Sequence, residues 1–293
     1  MCSLARAAIR ILLVSDVVRH EEAQMTDEPD VPYVTSETLP PYRGILAVDA
    51  RGFTDLPGRL HQTISGLIPQ VVERALADAG LADAWNEPAF FGPTGDGFAI
   101  GVPTNVLPFL LHPFLPELQR VLARHNANTR SGDARMQLRV SINVGPVKDG
   151  PNPYLSGNGT ARNDTHRLLD SVPVKAILSA ASPSVTFVAA IISERVYQDV
   201  VLQGYAGVHP DRLIEVPATV EGKSFAQRAW LYVPEPSGSL AAVPALRPVD
   251  PSSTPEKKAA PAGSSTVINA PDNRGGVSGT VQGDMNIGLG RES

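Results

Sequence analysis

Gly44-Ile45-Leu46-Ala47-Val48-Asp49-Ala50-Arg51-Gly52-Phe53-Thr54 opens as a short apolar run and closes on an acid, a glycine and a hydroxyl. Such a run bounded by turn residues reads as a buried strand that feeds a turn. Downstream stands Pro93-Thr94-Gly95-Asp96-Gly97-Phe98-Ala99-Ile100. Its Asp-Gly pair, with apolar runs at 89–91 and 97–102 on either side, predicts a β-hairpin, because the glycine tolerates positive φ. Two carboxylates, Asp49 and Asp96, therefore stand at a strand end and a hairpin turn. Each also suits a plainer role, Asp49 as a helix cap and Asp96 as a turn residue.

The pattern between and beyond them alternates helices with strands. Residues 60–81 carry Ile64, Leu67, Ile68, Val71, Val72 and Leu76 at helical spacing, with Pro69 expected to divide or kink the helix. Residues 106–126 form a Leu-rich helix or helix pair punctuated by Pro113 and Pro116. In 136–144, Leu138, Val140, Ile142 and Val144 alternate with polar residues, which predicts a half-buried strand ended by Gly145-Pro146. A helix starts at Thr160, a β-branched strand covers 185–191 with a short helix over 193–201, and a last strand covers 229–233.

The chain has 293 residues, 42% of them hydrophobic but only 5% aromatic, so its core is built mainly from Val, Ile, Leu and Ala. A formal net charge of −5 argues against nucleic acid as the main partner. The single cysteine, Cys2, excludes an internal disulfide and a Cys-rich zinc site and suits a reducing, cytoplasmic setting. The apolar run at 11–14 is too short for a stable membrane span. Residues 1–40 read as a disordered arm in which Met1 and Met25 are both candidate starts, and 236–266 as a Pro/Ser/Ala-rich linker.

Several residue sets carry chemistry. A metal site for a triphosphate needs at least two hard oxygen ligands, which Asp49 and Asp96 would supply. Gly52, Phe53 and Thr54 would turn backbone N–H groups toward phosphate, or form an ordinary strand-to-helix loop. In Gly159-Thr160-Ala161-Arg162-Asn163-Asp164-Thr165-His166-Arg167, Asn163 and Arg167 share one helix face. Together an amide and a guanidinium suit a ribose and a charged phosphoryl group; a solvated helix face is the plainer alternative.

The order of these pieces resembles the catalytic domain of class III nucleotidyl (adenylate/guanylate) cyclases over residues 41–235. The matching stretches are Asp49 before Gly52-Phe53-Thr54, Asp96 in its Gly-Asp turn, Gly145-Pro146-Val147, Gly159 through Arg167, Ile191-Ile192-Ser193-Glu194, and 220–233. The resemblance implies an α+β, ferredoxin-like βαββαβ domain between disordered tails. It implies that Asp49 and Asp96 bind two Mg²⁺ or Mn²⁺ ions, and that groups near Gly52 and Phe53 touch the phosphates. Asn163 would position the ribose and Arg167 would stabilise the phosphorane. Product would be a 3′,5′-cyclic nucleotide plus pyrophosphate, made by a homodimer whose two chains share each site.

The sequence departs from the family where the base is read. Gly92 stands where a Lys is usual, four residues before Asp96, and Ser156 stands seven before Asn163, so both positions are base-proximal. Arg162 replaces the usual Val and Thr165 the usual Ala. Neither adenine nor guanine is favoured. A pyrimidine triphosphate fits, because bacterial defence cyclases of this family make cyclic CMP or UMP. A cyclase-like sensor or adaptor that no longer turns over is the alternative, and a diguanylate-cyclase-like or phosphodiesterase-like enzyme a more distant one.

The end of the chain carries a second resemblance. Residues 267–293 alternate small, polar and β-branched residues and resemble bacterial amyloid-signalling motifs related to the RIP homotypic interaction motif. Asn273, Val277, Gly279, Val281, Gln282, Gly283, Asn286 and Ile287 carry it. It implies cross-β assembly with a protein partner bearing a like motif, where composition alone also allows a disordered Gly-rich tail. Together the two resemblances imply an antiviral or conflict role.

Overall fold

The computed structural model describes residues 34–129, 135–238 and 243. The N-terminal arm up to residue 33, most of the linker and the whole of 267–293 lie outside the described residues, as do the expectations that fall on them. In chain order the main elements are β1 (Tyr42–Ala50), α1 (Gly58–Asp78), α2 (Ala82–Asn86), β2 (Phe90–Pro93), β3 (Gly97–Val102) and α3 (Leu115–Asn128). There follow β4 (Leu138–Pro146), α4 (Thr160–Leu169), α5 (Val172–Ala180), β5 (Val188–Ser193), β6 (Leu213–Thr219) and β7 (Ala226–Tyr232).

The seven strands form one sheet in the order β2-β3-β1-β4-β5-β7-β6. Its first four strands, with α1 and α3 as crossovers, give the βαββαβ ferredoxin-like arrangement that the resemblance implied. Pairing of β1 with β3 and with β4 is antiparallel, and β5 extends the sheet by lying parallel to β4.

Alternation along β1 sorts the two faces. Leu46, Val48 and Ala50 join α1 and α3 in the larger core, with Ile64, Ile68, Val72 and Leu76 from α1. On the other face, Ile45 and Ala47 meet Phe90, Ala161 and Leu169, so α4 covers that side. Asp49 follows the period of 45 and 47 and stands on the α4 face. There, β4 grips α4 through polar groups. The Ser141 hydroxyl donates to the Thr165 carbonyl at 2.7 Å, and Asn143 donates to the Ala161 carbonyl at 3.1 Å.

Three expectations change. Pro69 neither divides nor ends the helix, since α1 runs unbroken from 58 to 78; burial of Ile64, Ile68, Val71 and Val72 on both sides of it outweighs the lost backbone hydrogen bond. Strand β4 is buried on both faces rather than one, because α4 accepts its polar residues. Residues 106–128 are neither one helix nor a simple pair: short helical pieces at Leu107–Phe109 and Leu110–Phe114 precede α3, with His112 in extended backbone before Pro113.

Gly97 faces Asp49 across the β1–β3 ladder, where a Cβ would collide with the Val48 backbone carbonyl. Gly97→Ala is expected to lower the unfolding free energy by about 1–3 kcal/mol, as other overpacked sites do. Gly66→Ala, on α1 with open space around it, is expected to raise stability by up to about 1 kcal/mol. Chemical denaturation of both variants checks the contrast.

Candidate active site

Asp49 occupies the last turn of side-chain alternation before β1 ends. Its neighbours across the sheet are Gly97 on β3 and Arg139 on β4. Without a side chain, Gly97 lets the β1 backbone at Val48 and Asp49 approach closely on one flank. On the other, the Arg139 guanidinium donates to Oδ2 of Asp49 in an ion pair whose two side chains are only 12% and 13% exposed. Oδ1 of Asp49 and Nε of Arg139 are buried with no partner among the described residues.

Asp96 sits one residue before Gly97 in the β2–β3 turn. Its carbonyl accepts from the Ala50 N–H at 3.0 Å, and the Thr94 N–H to Gly97 carbonyl bond of 2.9 Å closes the turn. Ser65 on α1 donates to the neighbouring Gly95 carbonyl at 2.8 Å, tying the turn to the helix layer. These bonds bring the Asp96 carboxylate beside that of Asp49. Burial pushes the Asp49 carboxyl up to about 7, against the pull of Arg139, and the Asp96 carboxylate pushes it further the same way.

Past Asp49 the chain turns at Gly52 (φ 69°) into a single helical turn, Phe53–Asp55, and Phe53 stacks on His61 at 4.4 Å. Arg51 is held by Gln137: its N–H donates to the Gln137 carbonyl at 2.9 Å and Nη1 to Oε1 at 2.6 Å. Arg51, Gly52, Asp55, Arg139, Lys175 and Ser179 line a cavity of about 300 Å³. Three of these side chains are cationic against one carboxylate, Asp55, so the balance of charge suits anionic oxygens. Arg139 and Lys175 were not singled out in the sequence. Arg139 looked like an outward-facing polar residue of an alternating strand, and only the β1–β4 register puts it against Asp49.

Asn163 and Arg167 lie exposed on α4. Arg167 donates to Asp164 at 2.9 Å and lies over the Phe225 ring, toward the β7 side of the sheet. Among the described residues, no hydrogen bond or ion pair links Asn163 or Arg167 to Asp49 or Asp96 of the same chain. Gly92 on β2 is buried. Ser156 is buried too, and its hydroxyl is committed to the Asn152 carbonyl at 2.7 Å.

Could a divalent ion be held here? No group of three or more His, Cys, Asp or Glu among the described residues is placed to hold one. The unpartnered, buried Oδ1 of Asp49 beside a second carboxylate nonetheless has the charge and ligand type that a hard cation needs. Asp49 and Asp96 therefore match such an ion in charge and ligand type. Among the described residues, no helix is long and apolar enough to cross a membrane.

No protein-family model matches the sequence, and no curated protein matches it. Solved structures similar to this chain include adenylyl and guanylyl cyclases. A bacterial light-regulated adenylyl cyclase is 12% identical over 78% of this chain, with a TM-score of 0.43, and the chain spans 65% of that protein's length. The adenylyl cyclase CyaB from P. aeruginosa is 14% identical over 66% of this chain and 93% of its own, with a TM-score of 0.39. The guanylate cyclase domain of RhGC from Catenaria anguillulae, solved with GTP, is 14% identical over 67% and 99%, with a TM-score of 0.40.

The raised Asp49 value gives a pH signature. Its folded pKa lies above the ordinary 3.8, so the folded chain holds an extra proton. This contribution to stability is complete below the unfolded value and is lost as pH rises through about 7. A divalent ion needs the carboxylate, so Mn²⁺ is expected to raise the melting temperature little at about pH 6 and more at about pH 8. Asp49→Asn should flatten both trends, and thermal melts across that range check them.

Proposed function

We propose that the protein is a metal-dependent nucleotidyl cyclase that converts a nucleoside triphosphate to a 3′,5′-cyclic nucleotide and pyrophosphate. The observation that carries this reading is the pair of adjacent carboxylates, one with an unpartnered buried oxygen, beside a cavity lined by Arg51, Arg139 and Lys175. Two Mg²⁺ or Mn²⁺ ions, when bound, would neutralise charge on the attacking and leaving oxygens. Asp49 and Asp96 would hold them. The backbone around Gly52, Phe53 and Thr54, with Arg51, Arg139 and Lys175, would orient the triphosphate.

Asn163 would hold the ribose, and Arg167 would meet the charge that grows on the α-phosphorus as the 3′-oxygen adds and pyrophosphate departs. Both are exposed and unconnected to Asp49 of their own chain, which supports a homodimer whose partner completes each site. Residues 41–235 would form this catalytic domain, 236–266 a linker and 267–293 a recruitment motif for a like motif on a protein partner, in signalling or antiviral defence. An inactive sensor is the second reading. What favours it is Arg139, which already neutralises the metal-facing Asp49.

Purified full-length protein with Mn²⁺ is expected to yield a cyclic product from at least one of the four NTPs, and Asp96→Ala to lower turnover at least about 100-fold. Asp49→Asn and Arg167→Ala should each be inactive alone. Mixed, they should regain about a quarter of wild-type activity, since half the dimers are mixed and each has one intact site. No product from any NTP by the folded dimer would sink the enzyme reading in favour of the sensor.

For the tail, a peptide covering 267–290 is expected to form thioflavin-binding fibrils with the 4.7–4.8 Å cross-β spacing. A peptide that stays monomeric at high concentration would remove the recruitment role.

A further inference from the structure

Two departures from the cyclase pattern meet in space. Gly92 lacks the usual side chain, and Arg162 carries one where a small apolar residue is usual. A Cβ built on Gly92 would fall within the Arg162 guanidinium. The side chain of Arg162 thus leaves α4, reaches the edge strand β2 and fills the space that any residue but glycine would claim at position 92. Its Cζ lies 5.4 Å from the centroid of the Phe90 ring, whose face holds the cation. Phe90 is itself fixed, fully buried and packed against Gly157, where a Cβ would strike the ring.

A guanidinium has five N–H donors and no acceptor. Among the described residues Arg162 forms no ion pair and no hydrogen bond, unlike Arg43, Arg51, Arg120, Arg139, Arg167 and Arg228. It is only half-buried. A planar fork is therefore held in place by a ring and by a backbone, with donors left to spend, at the position expected to lie next to the base. Ser156 does not compete, since its hydroxyl is bound to Asn152.

We propose that Arg162 reads the base and selects nucleoside triphosphates with a carbonyl on that edge, uracil or guanine. This rests on the cyclase reading of the site. The fork donates to O4 of uracil or to O6 and N7 of guanine, whereas cytosine and adenine present an amino group there, donor against donor. The cation that the family places on β2 comes in this chain from α4, and Gly92 is what lets it arrive.

The test uses the full-length protein with Mn²⁺ and each of UTP, GTP, CTP and ATP, reading kcat and KM separately, with melting curves to confirm folding. Wild type is expected to favour UTP or GTP over CTP and ATP by about tenfold or more in kcat/KM; which of the two wins identifies the base. Arg162→Val should erase that preference, mainly by raising KM for the keto bases about tenfold. Gly92→Ala should act in the same direction, because its Cβ displaces the guanidinium while Arg162 remains. The two variants sit on different elements, so if one fails to fold the other decides.

A wild type that prefers CTP or ATP, or a folded variant that keeps the wild-type preference, overturns the assignment. If no NTP is cyclised, the cyclase reading fails on its own, and equilibrium binding of the four NTPs with Mn²⁺ decides the Arg162 question. Equal affinities would then overturn it.

Discussion

Asp49 is a carboxylate near the end of a central strand, buried between a glycine and an arginine. A charge in that position is costly unless paired, and removing one partner of a buried pair costs about 3–5 kcal/mol. The pairing depends on register. Strand β1 is locked antiparallel to β3 and β4 at once, which sets Asp49 opposite both Gly97 and Arg139. A one-residue slip on either side would swing the acid into the α1/α3 core. The same double register brings the β2–β3 turn, and with it Asp96, to the end of β1. Site and sheet are therefore consequences of one alignment.

That alignment also explains why α4 matters twice. Its inner residues dock on β4 through Ser141 and Asn143, and Gly145 leaves space for Ala161. Once docked, the helix presents one stripe toward β2, where Arg162 lies, and another toward β7, where Arg167 lies. A short helix thus serves two separate places, the Phe90 ring on β2 and the Phe225 ring beside β7.

Much of this was legible in the sequence, where chemistry is local. The apolar run before Asp49, the Asp-Gly turn and the Ile/Leu/Val stripe of α1 each specify their element through nearby residues. Strand β6 was not legible from its own residues, because Glu215, Pro217 and Thr219 on an edge strand leave little apolar signal; only the resemblance over 220–233 pointed to a closing hairpin. Helix α5 was missed for the opposite reason: Val172 to Ala180 is apolar almost throughout and shows no clear period. Arg139 and Arg162 were visible as residues but not as neighbours of Asp49 and Gly92. Each meets its partner across strands or from a helix, and that information lies in register and docking.

The charges around the site narrow what can fill it. Asp49 and Asp96 offer hard anionic oxygens, one of them unpartnered. A step away, Arg51, Arg139 and Lys175 face a shared cavity, with Lys175 held at 3.0 Å by Asp170. A bare divalent cation would satisfy the acids and be repelled by the arginines. An unmetallated polyphosphate would do the reverse. A ligand that carries cations and phosphates together would meet both halves, and Arg139, paired with Asp49 and lining the cavity, lies between them. The ion pair spares Asp49 an uncompensated charge and holds the guanidinium at the cavity wall.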